Sequence, residues 1–268
     1  MAETHEKGRW PMRFSCKETK YPATFHLNPI RIAIVGDGRM ARMMESVCIH
    51  DDRFKIAGFV GPDTHAHLDE IQNADAVIDF SYPGNLSMVL ECAKNRNLPL
   101  VIGTTGLSVQ QSNDIRAASH VIPIVWSSNF SVGVTVLVRL ARLAAESLGK
   151  DFDIEITETH HHLKEDAPSG TAKMLLSAVS PSDNYTVING REGRPGKRGR
   201  EIGVHALRGG TVAGEHSIYY FGQMEEIELR HRADSREIFA RGALRAVRFA
   251  MQAEAGLYDM EDVLFGGK

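Results

Sequence analysis

The segment from Glu158 to Ala172 concentrates proton-moving and anion-binding groups. It carries three adjacent histidines, His160, His161 and His162, then Lys164 and the turn Ser169-Gly170-Thr171. A histidine side chain exchanges protons near neutral pH. Pro168 lacks a backbone N–H and tolerates the first turn of a helix, where Ser169, Gly170 and Thr171 would present N–H and hydroxyl donors to an anion. With the Lys164 ammonium nearby, the segment has what a carboxylate-bearing substrate requires. Zinc is the weaker reading, because adjacent histidines on an extended chain point to opposite faces and ligands at matched spacing do not follow. No metal is expected, and a solvated polar loop is the bland alternative.

A second chemical pattern lies near the start, in Gly36-Asp37-Gly38-Arg39-Met40-Ala41. Gly36 permits a tight turn, Gly38 lets backbone approach a pyrophosphate, and the start of the following helix offers free N–H groups. Ala41 stands where the fingerprint wants a third small residue. The acid that usually binds the adenosine ribose of NADH should follow at the end of the second strand, but Gly61-Pro62 occupies that place. That predicts dual use of NADH and NADPH, or a preference for NADPH, with Arg39 near the extra phosphate. A glycine turn with no ligand is the alternative.

Elements must place these groups. The run Ile30–Val35 is β-branched and apolar, and a helix through Ala41 to Ile49 follows the glycine turn. Further strands are predicted over Phe54–Val60, Ala76–Phe80, Leu98–Ile102 and Ile122–Trp126, with helices between most of them. Short apolar strands separated by helices call for a doubly wound parallel sheet, the Rossmann-like α/β class, with ligands beyond the strands' carboxyl ends. After an amphipathic helix, Val134–Leu148, the period changes to about two over Asp153–Glu158, Tyr185–Ile188, Ile202–Arg208, Gly214–Phe221 and Glu225–His231, which predicts a separate mixed or antiparallel sheet in an α+β unit. A last helix, Ile238–Ala253, is expected to return to the first sheet. Gly190–Arg200 is read as a long mobile loop. The expected division is an extension over residues 1–29, a dinucleotide-binding domain over 30–130 and 239–268, and a substrate-binding domain over 131–238.

In order, the chain carries Gly-Asp-Gly-Arg-Met, Gly103-Thr104-Thr105-Gly106, Asn129-Phe130-Ser131-Val132-Gly133-Val134 and the Glu-x-His-His segment ending Asp166-Ala167-Pro168-Ser169-Gly170-Thr171-Ala172. With these motifs it resembles the 4-hydroxy-tetrahydrodipicolinate (dihydrodipicolinate) reductases from about Ile30 to the C-terminus. The resemblance implies an NAD(P)H-dependent reduction of a cyclic imine dicarboxylate in lysine biosynthesis. It implies His160 as catalytic acid/base, Lys164 as proton donor and carboxylate partner, and His161, Gly170 and Thr171 as substrate contacts, with Ser169 among the donors of the same turn. Gly103, Thr104, Thr105, Ser127, Ser128, Asn129 and Phe130 would line the nicotinamide and ribose, beside the first glycine loop with its Asp37 and Met40. A hinge between domains, a homotetramer built through the second sheet, and a Gly190–Arg200 loop crossing between subunits are likewise implied. The family has a glutamate and an arginine where this chain has Gly61-Pro62.

Composition limits the alternatives. Charged residues make up 24% and hydrophobic residues 43%, ordinary for a globular chain. A net charge of -3 gives no general attraction to nucleic acid or anionic lipid. No apolar run approaches the roughly 20 residues of a membrane span. The three cysteines, Cys16, Cys48 and Cys92, are odd in number and widely spaced, and read as reduced cytosolic thiols. A cofactor-sensing protein without catalysis is one rival. A thiol-dependent dehydrogenase is another, but Cys48 and Cys92 fall in predicted helices instead of the cleft.

Overall fold

The computed structural model describes residues 28–61, 68–180 and 185–266. The N-terminal extension up to residue 27, with Cys16, and Pro62 lie outside the described residues.

Strands β1 (Ile30–Val35), β2 (Phe54–Val60), β3 (Ala76–Asp79), β4 (Leu100–Ile102) and β5 (Pro123–Trp126) form a parallel sheet with a sixth strand, β11 (Gly256–Tyr258), in the order β11-β5-β4-β3-β1-β2. The connection from β1 leads to β2 on one side, and the next returns to β3 on the other. A crevice therefore opens between the carboxyl ends of β1 and β3, where such sheets bind ligands. Period-two alternation distributes the core: Ile32 and Ile34 face one way, with Met44, Val47, Ala243 and Val247 of helices α1 (Arg39–Ile49) and α6 (Glu237–Ala250). Ala33 and Val35 face the other, with Leu86, Val89 and Ile115 of helices α2 (Leu86–Asn95) and α3 (Val109–Ser119). The return of the last helix to this sheet is thus observed. β11 and the short helix α7 (Met260–Phe265) escaped the sequence reading because a three-residue strand is too short to show a period.

Helix α4 (Val132–Leu148) leads into the second sheet, in the order β10-β9-β6-β8-β7. Its strands are β6 (Asp153–His160), β7 (Thr186–Ile188), β8 (Glu201–Arg208), β9 (Gly214–Phe221) and β10 (Glu226–Ala233). The central β6 pairs parallel with β8 and antiparallel with β9, so the sheet is mixed. α4 and α5 (Gly170–Val179) cover one face through Leu137, Ala141 and Leu175, against Ile156, Val204 and Ile218. Fully buried Tyr220 donates its hydroxyl to the Ala141 carbonyl at 2.6 Å.

Residues 189–200 are irregular, as expected, but two arginines tie them down. Arg191 bonds Glu155 and Glu201, each at 2.7 Å, and Arg198 bonds Asp153 at 2.7 Å. A composition rich in glycine and arginine signalled a loose loop, and the β6 acids that receive the arginines, Asp153 and Glu155, lie far off in sequence.

Candidate active site

The carboxyl ends of the parallel strands form the first wall. Gly36 has φ +118°, and a Cβ there would lie 2.5 Å from the Phe80 carbonyl oxygen, so only glycine fits against the end of β3. A Cβ on Gly38 would meet nothing within 4 Å, and Gly38 caps α1 without any side-chain hydrogen bond. The start of α1 therefore offers open space and unsatisfied N–H groups, which suits a pyrophosphate. Arg39 and Met40 line a cavity of about 550 Å³ together with Arg236 and Phe239. Thr104, Thr105, Ser127 and Ser128 line another of about 400 Å³ beyond β4 and β5. The Phe80 and Phe130 rings meet edge to face at 5.6 Å behind this wall.

Asp37 corrects the sequence argument about the cofactor. A Cβ on Gly61 would lie 2.9 Å from Asp37 Cβ and 3.6 Å from its Oδ2. A carboxylate thus does stand at the tip of β2, delivered from the glycine loop instead of the strand end. The premise that nothing there can accept from a ribose hydroxyl or repel a 2′-phosphate does not hold.

The second wall is the carboxyl end of β6. Strand alternation turns Glu158 and His160 to the same face, and Glu158 Oε2 receives His160 Nδ1 at 2.5 Å. Arg208, at the end of β8, grips Glu158 with two bonds of 2.9 Å and also bonds the Asp166 carbonyl at 2.8 Å. Burial pushes the Glu158 carboxyl up, but hydrogen bonds from Arg208 and then His160 outweigh it, leaving it below its ordinary range. The ionised Glu158 accepts only, so His160 carries its proton on Nδ1 in the neutral form and leaves Nε2 for exchange. Glu158 also accepts the Ser169 N–H at 3.1 Å.

Ser169 is the N-cap of α5, not a group open to ligand. It is 2% exposed, its Oγ accepts the Ala172 N–H at 3.2 Å, and the same oxygen bonds His216 Nε2 at 2.9 Å. Pro168 accordingly precedes the cap instead of opening the first turn. Gly170 and Thr171 follow the cap, where backbone N–H groups lack intrahelical acceptors. Thr171 Oγ1 accepts from Asn129 Nδ2 at 3.0 Å, which joins the two walls directly. His161 Nε2 accepts from Arg236 at 3.1 Å; burial and then the Arg236 charge lower its pKa, so the ring is neutral. Lys164 Nζ bonds Asp166 at 2.6 Å, an acid whose pKa this bond lowers, and the ammonium keeps two further N–H groups for a substrate carboxylate. His162 is exposed.

Glu158, Arg208, His216 and Arg236 were not singled out as functional in the sequence. His216 is 4% exposed, burial and then the His160 charge lower its pKa to about 4, and its Nδ1 has no partner among the described residues. Buried Asp79, at the end of β3, accepts from the Ser81 N–H at 3.0 Å and is raised by burial. The alternation of Glu158 with His160 was the one available signal; Arg208 and His216 come from distant strands and Arg236 from the start of α6.

Two family models match the chain: dihydrodipicolinate reductase N-terminus over residues 30–130 and dihydrodipicolinate reductase C-terminus over residues 133–264. A 4-hydroxy-tetrahydrodipicolinate reductase of Alkaliphilus oremlandii is 39% identical over 231 residues, 85% of this chain and 95% of that protein. One from Campylobacter lari is 40% identical over 241 residues, covering 88% and 99%. The solved dipicolinate-bound dihydrodipicolinate reductase of Paenisporosarcina sp. TG-14 shares the fold with a TM-score of 0.73 at 22% identity, over 88% of this chain and 100% of that one. With both halves matched in order and relatives aligned over nearly their full length, the chain belongs to the dihydrodipicolinate reductase family.

Proposed function

We propose that the chain catalyses the reaction its relatives are named for, the reduction of 4-hydroxy-tetrahydrodipicolinate to tetrahydrodipicolinate with loss of water, on the diaminopimelate route to lysine. The observation that carries this reading is the Asn129–Thr171 hydrogen bond, which sets the proton-handling end of β6 against the carboxyl ends of the parallel strands. A reduced nicotinamide cofactor, NADPH or NADH, supplies the hydride when bound. Residues 30–130 and 239–268 hold it, with Gly36, Gly38, Arg39 and Met40 at the pyrophosphate and Thr104, Thr105, Ser127 and Ser128 beside the nicotinamide, while the expected contact Phe130 is 2% exposed and backs that wall. Asp37 weighs the choice toward NADH, because a carboxylate accepts from ribose hydroxyls and repels a 2′-phosphate.

Residues 131–238 hold the substrate. The Gly170 and Thr171 N–H groups and Lys164 receive one carboxylate, while His161 and Arg236 lie at the same end of β6 to orient the ring. His160 Nε2 moves the proton, with Glu158 and Arg208 fixing its tautomer and direction. The assembly is a cytoplasmic homotetramer formed through the mixed sheet. Leu207 and Phe221, on the face of that sheet opposite α4 and α5, expose apolar side chains, which supports a covered surface. Cys48 and Cys92 are free, buried thiols, consistent with a reducing compartment.

The test is to add the enzymatically generated substrate and follow loss of the reduced-nicotinamide absorbance. Turnover with this substrate, and none with a simple aldehyde, is expected. Tight cofactor binding without turnover would return the cofactor-sensing reading. Light scattering of the eluting protein measures the assembly, and a monomer would remove the tetramer.

A further inference from the structure

A cavity of about 700 Å³ lies where helix α6 meets the start of α4, and no residue assigned above to cofactor or substrate lines it. Arg241, Arg245 and Arg248 of α6 line it, spaced so that they share one face of the helix. Arg53, at the foot of β2, lines it too, while the lining holds a single carboxylate, Asp51. That carboxylate is already consumed: Arg53 bonds both its oxygens, each at 2.7 Å. Arg241 bonds Glu237 at 2.8 Å. Arg245 and Arg248 have no carboxylate partner among the described residues. Like charges three and four residues apart on a helix repel, so this stripe lacks a counter-charge that the fold itself does not supply.

Other walls are also suited to an anion. Ser131, Val132 and Gly133 of the α4 start line the cavity. Ser131 caps the Val134 and Thr135 N–H groups, which leaves those of Val132 and Gly133 without intrahelical acceptors. His231 of β10 contributes a ring whose buried Nδ1 has no partner among the described residues. Phe54 and Leu244 add apolar surface. The volume falls within the range of small-molecule sites.

We propose that this cavity is a second, non-catalytic binding site for a small oxyanion carrying two or more charges, a phosphate ester or a polycarboxylate, held chiefly by Arg245 and Arg248. Its walls come from both sheets: Arg53, α1 and α6 from the parallel half, α4 and His231 from the mixed half. An anion seated there bridges them and stabilises the folded protein by mass action.

The experiment titrates inorganic pyrophosphate and citrate separately into the full chain saturated with NADH, by calorimetry and thermal unfolding. Saturating NADH blocks the glycine loop, and the Lys164→Ala variant removes the substrate-carboxylate cation, so neither should abolish binding. Arg245→Gln with Arg248→Gln should weaken binding by about tenfold or more, the loss expected for charge-assisted bonds. Preference for pyrophosphate assigns a phosphate ester and preference for citrate a polycarboxylate. No binding of either at millimolar concentration, or equal binding by the double variant, overturns the proposal. Should the double variant fail to fold, phenylglyoxal labelling of the unaltered protein decides: the anion should protect Arg245 and Arg248 and leave the exposed Arg116 reactive. Protection elsewhere, or none, also overturns it.

Discussion

The two walls of the cleft are built from different materials. At the parallel sheet the site consists of glycine gaps at Gly36 and Gly38, free backbone N–H groups at the start of α1, the hydroxyls of Thr104 and Ser127, which bond backbone groups, and one carboxylate, Asp37. At the mixed sheet it is a web of committed side chains, in which Glu158 alone bonds His160, Arg208 and Ser169. A backbone-lined wall tolerates side-chain replacement as long as the space remains. A side-chain web fails as a unit, because removing one partner strands the others in a low-dielectric interior.

The largest effect should come from the web's reacting member. His160→Gln should lower turnover by roughly 100-fold or more, the contribution of a general acid or base, while NADH affinity stays within about twofold. A comparable loss from exposed His162→Ala, measured side by side, would dissolve the distinction between the two histidines. Glu158→Gln keeps the shape but loses the charge that faces Arg208 and His160. Turnover should fall by roughly 10- to 100-fold, with the pH profile displaced, since the His160 tautomer is no longer imposed. An unchanged profile would reduce Glu158 to a structural group.

Lys164→Ala should raise KM for the substrate and lower turnover, leaving cofactor titrations unaltered. Loss of cofactor binding instead would move Lys164 to the other wall. At that wall, Asp37→Asn should shift the balance toward NADPH by about tenfold, one net charge-assisted bond plus relieved repulsion. Competitive titration of both cofactors measures it, and an unshifted ratio would leave Asp37 without a role in the choice. Gly61→Glu, which would restore an acid at the strand end, is a poorer test, because its Cβ would collide with Asp37.

The smallest effect on activity, and a clear one on stability, concerns His216. Its folded pKa of about 4 lies below the ordinary 6.5, so the unfolded chain binds the proton first as pH falls. Stability is therefore full above pH 6.5 and is lost progressively down to about 4, by roughly 3 kcal/mol at most. Thermal midpoints across that range should fall less steeply in His216→Gln than in the unaltered protein. Parallel slopes would show that the ring is hydrated and titrates normally.

The first wall was legible because it is local. A β-branched run, a glycine turn and a helix start are consecutive in the chain, and backbone chemistry follows from that order. The second wall was half legible: His160, Lys164, Gly170 and Thr171 stand out, and alternation along β6 pairs Glu158 with His160. Ser169 read as a ligand donor because a hydroxyl at a helix start is chemically free until something caps with it. Its two partners, Ala172 and His216, show that it is spent.

By itself the sequence determined the class of fold, the order of its strands along the chain and the residues able to move protons or hold anions, because those follow from period, turn chemistry and side-chain type. Tertiary structure alone decided which of these groups remain available. Arg208 reaches Glu158 across paired strands, Asp37 fills the place of an absent acid beside Gly61, and Asp166 takes one of the donors of Lys164. The first two outcomes depend on the approach of segments distant in sequence, and hydrogen bonding is short-ranged, so a shift of one residue in the pairing of β6 with β8 would have taken Arg208 away from Glu158.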